Sequence, residues 1–222
     1  QYDGTHMTKT GDTKKAETAV RTDKYPHSDN DWENFDVLHI NRLPSAATFM
    51  AYTTKEKAVK NDKSQSEYFQ SLNGTWKFQF VPRSDQRPMD FFEKGHDVSG
   101  WGNIKVPANW EMEGYGHPFY VGAGYGIKRN PPLIAVENSP VGSYKRTFNV
   151  PANWKGKQIV LHFGGVASAF YVWVNGEKVG YSQDSKTPSE FDITPYAVTG
   201  QNEIAVQVFK FSDGYYLEDQ DY

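Results

Sequence analysis

A chain of 222 residues with 24 Lys and Arg against 27 Asp and Glu, a formal net charge of -3, offers no basic field for nucleic acid or for an anionic lipid surface. No window approaches the roughly 18 apolar residues of a membrane-spanning helix, so neither nucleic acid nor membrane is expected as a partner. The absence of cysteine removes disulfides, thiolate metal sites and cysteine nucleophiles, and leaves both cytoplasm and periplasm open as compartments.

In chain order, residues 1–24 are rich in Lys, Thr, Asp and Ala with little apolar periodicity, which predicts a disordered, tag or linker segment. Order is expected from Tyr25, and residues 25–222 are read as one domain. Between Trp32 and Pro44 the apolar residues recur too irregularly for a helix, so an extended arm lying across the domain is expected, with Asn41 and Arg42 as its anchors. One short helix fits the mixed stretch 53–70.

From Leu72 the pattern changes to period two. Trp76, Phe78 and Phe80 alternate with Thr75, Lys77 and Gln79 until Pro82, which predicts a half-buried strand. The same signal returns over 144–150, 158–163, 170–174 and 202–210. Asn175-Gly176 separates two such runs and predicts a two-residue hairpin turn, because both residues tolerate positive φ. Two long Gly, Pro and aromatic-rich loops are expected over 107–132 and 180–195. Short strands without alternating helices predict an all-β sandwich. The 14 Tyr, 14 Phe and 6 Trp suit such a core; they would also suit stacking on sugar rings, although core packing is the commoner use of any single ring.

Carboxylates are plentiful, which raises paired acid/base catalysis. A glycosidase pair needs carboxyl groups about 5 to 9.5 Å apart across the scissile bond. Glu218, Asp219 and Asp221 are neighbours in sequence, and on an extended segment neighbours point to alternate faces, so no catalytic pair is assigned to them. The run from Ser212 to Tyr222 sets three tyrosines and one leucine among four carboxylates. It is read as the edge of the active-site wall of a larger protein, of which this chain would be a fragment. Asp213 stands between Ser212 and Gly214 just after the last strand, where its carboxylate could project from the sandwich edge to accept sugar hydroxyls, bind a cation or cap a turn. The six histidines show no zinc spacing, and no Gly-x-Ser-x-Gly elbow is present.

Six blocks combine in order: Trp32-Glu33-Asn34 with Ile40-Asn41-Arg42, the run 71–78, Val106 to Met112, Asn130-Pro131-Pro132, Gln183-Asp184-Ser185 with the run 188–192, and Ser212 to Asp221. Together they closely resemble the N-terminal region of glycoside hydrolase family 2 β-galactosidases. The resemblance implies a jelly-roll sugar-binding domain followed by immunoglobulin-like domains and a (β/α)8 barrel that carries both catalytic glutamates, with retention of configuration. No catalytic residue is then expected in this chain. Asp213 is implied to contact galactose and a monovalent cation, and Gly122 stands where the family loop has an asparagine, removing that side-chain contact. By the same resemblance no cofactor belongs to this domain, while Mg2+ and Na+ belong to the parent. The implied partners are a β-galactoside and the remaining domains of the same chain, with room for a homo-oligomer. The rival expectations are a free-standing carbohydrate-binding module and a structural or oligomerisation domain.

Overall fold

The structure, a computed structural model, describes residues 28–118 and 126–217. The lead-in over 1–24, Gly122 and the carboxylates Glu218, Asp219 and Asp221 lie outside the described residues. In chain order the elements are β1 (His39–Ile40), α1 (Lys55–Lys60), β2 (Gly74–Val81), β3 (Gly102–Val106), β4 (Val141–Val150), β5 (Val160–Phe163), β6 (Ala169–Val174), β7 (Glu177–Gln183), β8 (Ser189–Asp192) and β9 (Gly200–Phe209), joined by short 3-10 turns. Among the described residues no helix is long and apolar enough to cross a membrane.

Seven strands form one sheet in the order β1-β7-β6-β9-β4-β2-β3, and β5 pairs with β8 in a second, two-stranded sheet. Every pairing is antiparallel. The result is an all-β sandwich. Its two layers meet over Trp76, Phe78, Phe170, Val172, Val174, Ile204, Val206 and Val208 of the large sheet, packed with Leu161 and Phe191 of the small one. The turn between β6 and β7 is the expected one: Val174 pairs with Glu177 across Asn175 at φ 53° and Gly176 at φ 89°. The Asn175 side chain also donates to the Tyr196 carbonyl and accepts from the Glu203 amide, which fixes the hairpin against β9.

Strand β6 departs from the half-buried pattern because it is buried on both faces. The second face is covered by the arm and by residues 88–101: Trp32 stacks on Phe209 at 4.1 Å, and Phe92 stacks on Trp173 at 4.9 Å. Aromatic residues therefore fill two clusters, one inside the sandwich and one under this outer cover. The arm runs as expected. Asn41 Nδ2 donates to the Val179 carbonyl, and Arg42 Nη1 donates to Ser182 Oγ at 3.0 Å. The short helix is α1, capped by Thr54 and without a buried residue, so it adds nothing to the core.

The loop expected over 180–195 is also corrected. The stretch 180–195 is not a long loop: β7 continues to Gln183, β8 occupies Ser189–Asp192, and only residues 184–188 connect them. Ser182, Gln183 and Ser189 are buried polar residues. Their side chains satisfy one another and the arm, so a segment with loop-like composition holds strand geometry.

Candidate functional site

After β9 the chain passes Phe211 and an extended Ser212 and enters a 3-10 turn over Asp213–Tyr216. Ser212 is fully buried and accepts a hydrogen bond from Ser168 Oγ at 3.0 Å; the Ser168 amide in turn donates to the Phe209 carbonyl. These bonds aim the next residue, Asp213, inward. Its exposure is 0%, so the carboxylate does not project from the sandwich edge as expected but lies beneath the surface.

The two carboxylate oxygens have different surroundings. Oδ1 accepts a short hydrogen bond from Gln183 Nε2 and a second from the Gly214 amide at 2.9 Å. Oδ2 is buried and has no partner. Burial pushes the carboxyl up to about 6; the Gln183 and backbone hydrogen bonds pull the other way, and the Glu33 charge adds to the rise. A buried acceptor left unpaired costs about 1–3 kcal/mol, and more when it is charged. An incoming hydroxyl or cation that meets Oδ2 recovers that penalty, which a solvated carboxylate could not offer.

Four of the sequence blocks are joined, directly or through Gln183 and Tyr216, to the turn that carries this carboxylate. Gln183 ends β7, its amide donating to the Leu38 carbonyl and its side chain to Tyr181 Oη at 2.8 Å. Arg42 Nη1 reaches the Gln183 carbonyl at 3.4 Å, joining the Ile40-Asn41-Arg42 block to the Gln183-Asp184-Ser185 block. Glu33 is buried with both oxygens occupied: Oε1 accepts from the Ile134 amide, and Oε2 accepts from Ser28 Oγ and Asn30 Nδ2. Tyr216, at the end of the 3-10 turn, donates to the Leu133 carbonyl at 2.8 Å, which ties it to the segment carrying Asn130-Pro131-Pro132. Farther out, Lys210 Nζ pairs with Glu111 of the 106–112 block.

Sequence reasoning singles out Asp213 and misses the residues that surround it. Gln183, Tyr181 and Glu33 form the buried shell. The available signal was phase: Gln183 follows Val179 and Tyr181 at every second position of β7 and so shares the face of two buried residues. Among the described residues no group of three or more His, Asp or Glu side chains gathers to hold a metal, so Asp213 would enter a cation site as a single oxygen donor.

The structure thus defines an antiparallel sandwich that holds one buried carboxylate oxygen without a hydrogen-bond partner. The family model for glycosyl hydrolases family 2, sugar binding domain, matches residues 69–222, and the chain belongs to that family. A beta-galactosidase of Priestia megaterium (strain DSM 319 / IMG 1521) is 44% identical over 220 residues, covering 97% of this chain and 21% of the relative. A beta-galactosidase of Halalkalibacterium halodurans is 42% identical over 201 residues, covering 88% of this chain and 20% of the relative. The chain therefore spans about a fifth of the length of these curated relatives. Among solved structures, Ruminococcus gnavus beta-glucuronidase aligns with a TM-score of 0.47 and 26% identity, over 63% of this chain and 21% of that one.

Proposed function

We propose that this domain works within a retaining β-galactosidase that cleaves terminal β-D-galactosides, adding Asp213 to the wall of a pocket whose catalytic glutamates lie in a barrel elsewhere in the same protein. The carrying observation is the buried Asp213 carboxylate with Oδ2 unpaired. The beta-galactosidase relatives, matched over nearly the whole of this chain, support the choice of substrate class.

In this reading a sugar hydroxyl donates to Oδ2. That bond forms in a site from which water is largely excluded, so it counts for more than the same contact at the surface. A monovalent cation would take the same oxygen as its anionic ligand and help order the sugar hydroxyls. Mg2+ is assigned to the rest of the protein by the same resemblance. No residue of the domain carries out proton transfer or nucleophilic attack; its part is to bind and orient.

The test compares the full-length protein with the 222-residue chain on p-nitrophenyl β-galactoside, β-glucuronide and β-mannoside. Hydrolysis by the full-length protein alone, with the galactoside strongly preferred, is expected. Preference for the glucuronide or mannoside, or turnover by the 222-residue chain itself, would contradict the proposal.

A further inference from the structure

Resting on the reading that Asp213 faces substrate, we propose that Gln183 is the positioning residue for its carboxylate. The Gln183 side-chain amide holds Oδ1 so that Oδ2 is the oxygen presented to the ligand.

The geometry requires an amide. Gln183 Nε2 has acceptors around it: Asp213 Oδ1, Tyr181 Oη at 2.8 Å and, more distantly, the Val37 carbonyl at 3.5 Å. A carboxylate and a carbonyl cannot donate, so the nitrogen must face them and the amide has one orientation. Both Gln183 and Asp213 are buried, so neither can exchange this bond for water. A Lys or Arg in the same place would form an ion pair and satisfy most of the carboxylate's demand. The neutral amide stabilises the charged form while leaving the charge available.

The backbone is built around this contact. A Cβ added at Gly214 would sit 2.7 Å from Gln183 Oε1, so any side chain there would have to displace the amide from its place beside Asp213. Gln183 itself is held at both ends of its peptide unit: its amide donates to the Leu38 carbonyl and its carbonyl accepts from Arg42. The arm therefore reaches the carboxylate through Gln183. On this account the arm, the end of β7 and the Ser-Asp-Gly turn form one device that sets the direction of a single oxygen.

The test uses the full-length protein and p-nitrophenyl β-galactoside in a double-mutant cycle of Gln183→Met and Asp213→Ala. Methionine keeps length and volume and removes the donor. Gln183→Met is expected to lower kcat/KM by about 10- to 100-fold, the range for a lost hydrogen bond to a charged group. In the Asp213→Ala background the same change should cost less than about twofold, because Gln183 has nothing left to position. Should the Met variant fail to fold, Gln183→Leu also removes the donor without adding a charge and must show the same coupled loss. An unchanged kcat/KM in Gln183→Met, or an equal loss in both backgrounds, would overturn the role of Gln183 while leaving Asp213 in place. If Asp213→Ala alone leaves turnover unchanged, the underlying reading of the pocket fails, and the positioning role fails with it.

Discussion

Replacing Asp213 by asparagine is expected to stabilise the 222-residue chain near neutral pH. The folded carboxyl titrates at about 6, against 3.8 for an ordinary aspartate, with burial as the main cause. Because the folded state holds the proton more tightly than the unfolded chain, the stability associated with the protonated carboxyl is fully present below about pH 4. It is lost as pH rises through 6. The separation of the two values corresponds to about 3 kcal/mol at pH 7. Asparagine behaves like the permanently neutral form: its side-chain oxygen can still accept from Gln183 and the Gly214 amide, and its NH2 replaces an oxygen that has no partner. Asp213→Asn should therefore raise stability by about 2–3 kcal/mol at pH 7 and by less than about 0.5 kcal/mol near pH 3.5. In a chain of this size the gain at neutral pH should appear as a rise of several degrees in Tm. Urea unfolding of both proteins across pH 3.5 to 7.5 measures it. Equal stability at pH 7, or a gain that does not shrink with acid, would mean that Oδ2 is solvated or paired and that the buried-charge account is wrong.

Two further substitutions test the sandwich itself. Gly142→Ala in β4 would place a Cβ 2.5 Å from a ring carbon of Trp110 and 2.8 Å from one of Phe78, so a loss of about 1–3 kcal/mol is expected in urea unfolding. Lys145, 4% exposed, donates to the carbonyls of Phe91 and Glu93 and lies 3.4 Å from Glu203 Oε2. Lys145→Met leaves those groups without their cation and should cost about 3 kcal/mol, with faster proteolysis near residues 88–101 as a second readout.

Much of this architecture is legible in the sequence where side chains alternate over enough residues to set a period. β2 shows Trp76, Phe78 and Phe80 on one face, and Asn175-Gly176 can make only a tight turn. β3 and β8 escape such reading because each buries a single large apolar residue, Ile104 and Phe191, in a run of four or five. β1 is two residues long and owes its place to the bond network of Asn41 and Arg42 rather than to any pattern of its own. The site divides in the same way. Asp213 stands out because it sits between serine and glycine after a strand. Its burial does not, since inward rotation depends on Ser168 and Gln183, which are 45 and 30 positions away and reach it only through the fold. Buried serine and glutamine read as loop or surface residues in a sequence, and here they make the site's inner wall.

The central claim, that this domain lends Asp213 to the pocket of a β-galactosidase, is tested most directly by kcat/KM of Asp213→Ala in the full-length protein on p-nitrophenyl β-galactoside. A loss of about 10- to 1000-fold, roughly 1.4 to 4 kcal/mol, is expected, with thermal stability unchanged or raised. A variant that folds normally and turns over the galactoside at the parental rate would contradict the claim and leave the domain a purely structural one.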